Sequence, residues 1–296
     1  GPFANIALGQ SSILADRLGL KLADYHVTES GFGTDIGFEK FWNLKCRFSG
    51  LKPDCAVIVA TVRALKAHGG APLVQPGQAL PEVYRQNAPE YVEAGLHNLQ
   101  AHLEIVRQSG VTPVVCLNHF VDDTPEEIAC VRDWAAQNET LFALSSHWEK
   151  GGEGALDLAD AVLQACETPS PFNFLYPDDL PLAEKIERIA TEVYGANGVQ
   201  YTPEAQRKLK NLSVHPVYKD YACCMAKTHL SLSDQPEKKG RPTDWTLTVR
   251  DLLVYQGAGF IVPVAGDIKL MPGTASDPAY RRIDVDTETG QVMGLF

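Results

Sequence analysis

Residues Ala56-Val-Ile-Val-Ala60 form an apolar run with no polar residue on either face. A strand with one solvated face would alternate apolar and polar side chains. One that buries both faces belongs inside a parallel sheet covered by helices on each side. The flanking sequence keeps to that plan. Ile13, Leu14, Leu18, Leu20 and Leu22 recur at helical spacing and predict a helix over residues 12–24. A short strand is expected over 25–28, followed by a turn at Gly31-Phe-Gly33. Four prolines between residues 72 and 89 mark a surface excursion. Then come a helix over 91–109, a strand over 113–117, a helix over 125–137, a strand over 141–144 and a helix over 155–166. This alternation implies an α/β fold, a parallel sheet with flanking helices.

Pro169 and Pro171 interrupt the pattern. A helix follows over 180–194, with Ala183, Ile186, Ile189, Ala190 and Val193 on one face. The last third reads differently. Strands are expected over 220–225, 245–249 and 260–264, with few helices between them and a charged, Gly/Pro-punctuated loop over 236–242. That predicts a smaller C-terminal α+β domain. The expected units are 1–110, 111–205 and 206–296, in keeping with a 296-residue chain large enough for two or three.

The formal charge of −11 argues against nucleic-acid binding, which calls for a basic stripe. It also means that any anionic ligand must be held by local cations. No apolar run approaches the roughly 18 residues of a membrane span, and no signal-peptide pattern is visible. The seven cysteines (Cys46, Cys55, Cys116, Cys130, Cys166, Cys223 and Cys224) are odd in number and include no C-x-x-C pair. Several sit in apolar runs as small hydrophobes, which points to a reduced, cytoplasmic setting. Cys223 and Cys224, adjacent on a strand, should face opposite ways. No His, Cys and carboxylate cluster has a zinc-like spacing, so no metal ligands are assigned. No G-x-S-x-G elbow occurs.

Ligands of open parallel sheets bind beyond the C-terminal ends of the strands. Asn118 and Phe120 fall there after one strand. Thr124 or Asp123 can cap the next helix, with Glu127 placed to complete a capping box. After the next strand Trp148 stands among Ser, His, Glu, Lys and Gly, although an indole is costly to expose. Lys150 and three nearby glycines offer a cation and free backbone N–H groups. Phe32, Phe120, Leu144 and Trp148 thus lie at or beyond strand ends, where neighbouring strands would bring them to one slot for a flat heterocycle. Arg63 and Lys66 follow the first strand closely enough to reach the mouth of such a slot, or they are solvated helix residues. His68 suits acid–base work or a loop hydrogen bond. Glu29 and Asp35 flank the Phe32 turn, either as ligand contacts or as turn caps.

Three blocks carry a resemblance. Val59-Ala-Thr-Val-Arg-Ala-Leu-Lys-Ala-His-Gly-Gly70, Thr28-Glu-Ser-Gly-Phe-Gly-Thr-Asp-Ile-Gly-Phe-Glu-Lys-Phe41 and Gly1-Pro-Phe-Ala-Asn-Ile-Ala7 resemble the formate–tetrahydrofolate ligase family. The resemblance runs from end to end of the chain but not over the whole family protein. In the family an N-terminal half carries a Gly-rich phosphate loop, and no G-x-x-x-x-G-K-[ST] occurs in these residues. Gln291-Val-Met-Gly-Leu-Phe296 looks like the family's C-terminus. The resemblance therefore implies a C-terminal half. It also implies a P-loop NTPase-like α/β domain, of which residues 1–110 are the later part, with two smaller domains in a homotetramer.

It further implies the reaction ATP + formate + tetrahydrofolate → ADP + phosphate + 10-formyltetrahydrofolate, through formyl phosphate. Phe32, Phe120, Leu144 and Trp148 match the family's pterin pocket, with Glu29 and Asp35 beside it. Arg63, Lys66 and His68 are the catalytic candidates. ATP with Mg2+ belongs to the other half, and a monovalent cation is a further ligand the resemblance allows. The chain departs from the family at Leu8 (usually His), Val121 (usually Pro), Ser30, Thr34 and Phe38 (usually Ala), and Thr274-Ala275. Two other readings stay open: a P-loop GTPase-like switch whose slot holds a purine, and a non-catalytic folate-binding subunit.

Overall fold

The computed structural model describes residues 12–74, 79–268, 277, 281–289 and 291–294. Leu8 and Thr274-Ala275 lie outside them. Strands β1 (Cys55–Ala60), β2 (Thr112–Asn118) and β3 (Leu141–Ser145) form a parallel sheet in that order. Nine helices are described: α1 (Ile13–Leu22), α2 (Cys46–Ser49), α3 (Val62–His68), α4 (Pro89–Gln108), α5 (Pro125–Gln137), α6 (His147–Lys150), α7 (Leu156–Cys166), α8 (Leu182–Arg188) and α9 (Pro203–Val214).

Ile58, Val115 and Leu117 share one core with Leu65 of α3 and Val92, Leu99 and Leu103 of α4. Val114 and Ala143 face the other way, onto Ala161 and Ala165 of α7. Each fully buried Val or Leu contributes about 1.5–3 kcal/mol. The glycine of the His68-Gly69 step is demanded by packing. A Cβ there would stand 1.8 Å from the Tyr91 carbonyl oxygen, and one on Gly95 would stand 2.1 Å from that of Leu65. No side chain fits at either point of contact between α3 and α4.

A second, mixed sheet has the order β4 (Val199–Tyr201), β6 (Leu247–Tyr255), β7 (Phe260–Ala265), β5 (Ala222–Cys223). β4 and β6 are parallel, as are β5 and β7, while β6 and β7 are antiparallel. β8 (Asp284–Val285) and β9 (Val292–Met293) make a small antiparallel pair. The architecture is α/β with one parallel and one mixed sheet. The large core is continuous between them, from Ile58 and Val115 to Trp245, Leu247 and Ile261. The first sheet takes strands from both sides of residue 110, and the second from both sides of residue 205.

Several elements differ from expectation. Residues 25–28 are not a strand. No strand among the described residues pairs with them, and Tyr25 and Val27 are exposed. The helix expected over 180–194 is α8 continued by a π-helical turn, Ile189–Val193. β5 is only two residues long, and α9 stands ahead of these strands, where no element was assigned. Thr202 caps α9 and Pro203 opens it, both local start signals. Cys223 joins the large core and Cys224 a separate one with Leu44, Phe260 and Val262, so the two do face opposite ways. All seven cysteines are free thiols. No helix of the described residues is long and apolar enough to cross a membrane.

Candidate functional site

The register puts the strand ends level. Ala60 pairs with Leu117 and Leu117 with Leu144, while Asn118 pairs with Ser145. Thr61, the loop after Asn118 and the loop after Ser145 therefore leave from one sheet edge. Thr61 caps α3 by accepting the Ala64 N–H at 3.1 Å, which places Arg63 in the first turn. Arg63 donates to the Asp122 carboxylate at 3.1 Å, and its guanidinium lies 5.3 Å from the centre of the Phe120 ring. Its Nε is buried without a hydrogen-bond partner.

The Phe120 loop is fixed from below. Asp123 accepts the Phe120 N–H at 2.8 Å, and burial pushes its carboxyl pKa up. Thr124 and Glu127 form the expected capping box on α5. Asn118 Oδ1 is buried with no partner. Across the edge, Ser145 Oγ meets His147 Nδ1 at 2.8 Å, and the His119 N–H donates to the Ser145 carbonyl at 2.9 Å. Trp148 sits on the single turn α6 with 84% of its surface exposed, while half-buried Leu144 near the end of β3 packs against the large core. The loop closes where Ser146 N–H donates to the Gly154 carbonyl at 2.8 Å. Val121, next to Phe120, is fully in solvent.

The edge thus gathers Arg63, Phe120, Leu144 and Trp148, with Asp122 beside them. Phe32 is elsewhere. It has a left-handed backbone, φ 65°, and stacks on His229 with ring centres 4.4 Å apart. The turn that follows it, Thr34–Phe38, docks on α4, where Thr34 Oγ1 meets His102 Nδ1 at 2.7 Å. His102 is thirteen residues into α4, roughly 20 Å along its axis from the end next to the Thr124 cap. Among the described residues, no ring contact joins Phe32, Phe120 and Trp148. Glu29 is exposed ahead of this turn, and Phe38 is buried against Phe41 and Trp42 rather than beside Phe32.

Beneath Phe32 lies a buried charge cluster. Asp35 pairs with Lys227 at 2.7 Å, both almost fully buried. Burial alone would raise the Asp35 pKa, but the Lys227 ammonium prevails and holds it below the usual carboxylate range. Lys227 also donates to the Thr228 and Ser231 carbonyls, so its three N–H groups are used, and it lies 5.0 Å from the Tyr194 ring centre. Burial keeps His102 below the ordinary histidine value. His68 is pushed down to about 4 by burial, with Lys239 adding to the effect. Its Nδ1 accepts the Gly240 N–H at 3.1 Å, which makes it a neutral imidazole protonated at Nε2.

Lys66 is also interior. It is wholly buried, pairs with Glu127 at 2.6 Å and donates to the Val83 and Gln86 carbonyls. One helical turn beyond Arg63 is enough to carry it from the edge to the buried Glu127 of α5. Asp35 and Lys66 are thus buried and His68 is half-buried, whereas Arg63 reaches the edge. Sequence reasoning overlooked Asp122 as the partner of Arg63, and His102, Lys227 and His229 as the surroundings of Phe32. A Lys directly after the apolar run Ala222–Ala226 was the one local sign of a buried cation. Among the described residues, no group of three or more His, Cys, Asp and Glu side chains stands close enough together to hold a metal ion.

The family model described as formate–tetrahydrofolate ligase matches residues 1–296. This chain belongs to the formate–tetrahydrofolate ligase family. The formate–tetrahydrofolate ligases of Desulforapulum autotrophicum and of Dehalococcoides mccartyi strain CBDB1 are each 62% identical to it over 296 residues, covering 100% of this chain and 50% of the relative. That of Desulfotalea psychrophila is 60% identical over 296 residues and is covered to 53%. The chain spans about half the length of the curated relatives it matches. In this member of the ligase family the site candidates divide into an open sheet edge and a closed charge cluster.

Proposed function

We propose that this chain supplies the folate-binding surface of an ATP-dependent formate–tetrahydrofolate ligase, and that the pterin ring lies at the sheet edge against Phe120, Leu144 and Trp148. The carrying observation is Trp148, an indole 84% exposed just past the end of β3, with a cation-backed phenylalanine beyond the neighbouring strand end. A flat bicyclic ring laid on it would remove that apolar surface from water, and stacking of this kind is worth about 1–3 kcal/mol per ring. Asn118 Oδ1, a buried acceptor without a partner, suits the N–H groups of a pterin.

In the reaction formate takes the γ-phosphoryl group to give formyl phosphate. N10 of tetrahydrofolate then attacks the formyl carbon and phosphate leaves. Positioning and charge neutralisation are the main contributions a protein makes to such transfers. Here Phe120 and Trp148 orient the folate, and Arg63, braced by Asp122, presents a cation at the same edge. The sequence contains no phosphate-loop motif. In this reading ATP and Mg2+ belong to the part of the family polypeptide that this chain does not cover.

β1 is the place where that part would join. It is the edge strand of the first sheet among the described residues, and Val57 and Val59 stay 38% and 65% exposed on the α7 side of the sheet, level with Val114 and Cys116. A further parallel strand with its helix would cover both. Seven free thiols favour a reducing compartment, and the homo-oligomer of the family is part of the same reading. The test is reconstitution. ATP-dependent formation of 10-formyltetrahydrofolate should require this chain together with the rest of the family polypeptide. Equal activity of the remainder without this chain would refute the assignment.

A further inference from the structure

Cys55 opens β1 and Cys166 closes α7, 111 positions apart in sequence, yet their sulfurs are 3.7 Å from each other. We propose that these two thiols are an oxidation site, closing to a reversible disulfide when a peroxide reaches them. The site is independent of the folate-binding reading.

The approach of the two sulfurs is built into the fold. α7 lies across the sheet face formed by Val114 and Ala143, and Cys55 packs against the same small core. The chain after α7 is tied back to the start of β1. Ser170 Oγ donates to the Asp54 carbonyl at 2.6 Å and accepts the Thr112 N–H at 3.3 Å. Both sides of the thiol pair are therefore anchored. A disulfide needs sulfurs about 2.0 Å apart, so closure asks for a movement of roughly 1.7 Å, within reach of side-chain rotation.

The other cysteines do not compete. Cys46, Cys116, Cys223 and Cys224 are buried. Cys130 is half-buried, as Cys55 and Cys166 are, but its thiol donates to the Glu93 carboxylate at 3.9 Å. Burial pushes the Cys55 thiol up to about 12, with the adjacent Cys166 and Asp54 adding to the effect. The oxidation is written from Cys166; the balance is the same if Cys55 reacts first.

Cys166 sulfur takes an oxygen from hydrogen peroxide, giving a sulfenic acid and one water. Cys55 sulfur then attacks the Cys166 sulfur. The S–S bond forms, the S–O bond breaks, and the hydroxide leaves with the Cys55 proton as a second water. Two thiols lose two electrons and two protons, and the peroxide is reduced to two waters.

The bridge would fasten the last turn of α7 to the edge strand, at the end of β1 opposite the folate edge. Oxidation should therefore stiffen the fold and leave folate binding in place. The test treats the full chain with a few equivalents of hydrogen peroxide, blocks free thiols and maps peptides without reduction. A peptide pair joined through Cys55 and Cys166, two hydrogens lighter than its parts and separated again by dithiothreitol, is the expected product. The thermal midpoint should rise by roughly 5–10 °C. Cys55→Ser should leave Cys166 trappable by dimedone. Recovery of both cysteines as free thiols, or as separate sulfinic acids, at doses that oxidise Cys130 would overturn the proposal. That readout on the unmutated chain holds even where a serine variant fails to fold.

Discussion

Two acid–cation pairs lie beside the two aromatic clusters and do opposite work. At the sheet edge Arg63 meets Asp122 at 3.1 Å with side chains 40% and 32% exposed. Under Phe32, Lys227 meets Asp35 at 2.7 Å with side chains 0% and 6% exposed. Water screens the first pair, so it contributes little to stability and its cation stays available to a ligand. The second has no water to fall back on, so each charge depends on the other and neither is free for chemistry. Exposure, more than residue type, separates the proposed ligand surface from the frame that holds it.

The largest effect should come from breaking the interior pair. Lys227→Met leaves Asp35 buried without its cation and should cost about 3–5 kcal/mol in urea unfolding. Replacing both at once, Asp35→Asn with Lys227→Met, should recover a good part of that. A loss of the same size from Asp122→Asn would erase the distinction between the two regions.

A pH experiment sharpens it. Glu39 is wholly buried, and burial raises its carboxyl from 4.5 to about 7. Between those values the folded chain keeps a proton that the unfolded chain has released. Stability from this group is full below pH 4.5 and is lost as pH rises through 7. Glu39→Gln should remove that slope. Its thermal midpoint should gain several degrees on the unmutated chain at pH 8 relative to pH 5. Parallel profiles for the two proteins would contradict the burial argument.

The smallest effect belongs to the edge. Asp122→Asn should change stability by less than about 1 kcal/mol. It should weaken folate binding a few-fold, because Arg63 loses the contact that holds it over Phe120.

What was readable beforehand follows from how local the signals are. α5 was read with its correct ends because Thr124, Pro125 and Glu127 carry the whole start signal within four residues. β2 and β3 were read from short apolar runs. Lys66 was not, because its burial depends on Glu127 and on carbonyls of a Pro-rich excursion, none of which spacing reveals. Phe32 looked like a fourth wall of the slot because it follows an expected strand. No strand forms there, and the bond between Thr34 and His102 carries the turn along α4 instead. Pairings across long sequence gaps decide such placements, and those are what a single chain conceals.

The folate edge is tested most directly by calorimetric titration of a tetrahydrofolate analogue into the unmutated chain and into Trp148→Ala. The exposed indole should be dispensable to the fold and needed by the ligand. The variant should therefore keep its thermal midpoint and bind at least about tenfold more weakly. Equal affinity in a fully folded Trp148→Ala protein would contradict the placement of the pterin at the ends of β2 and β3.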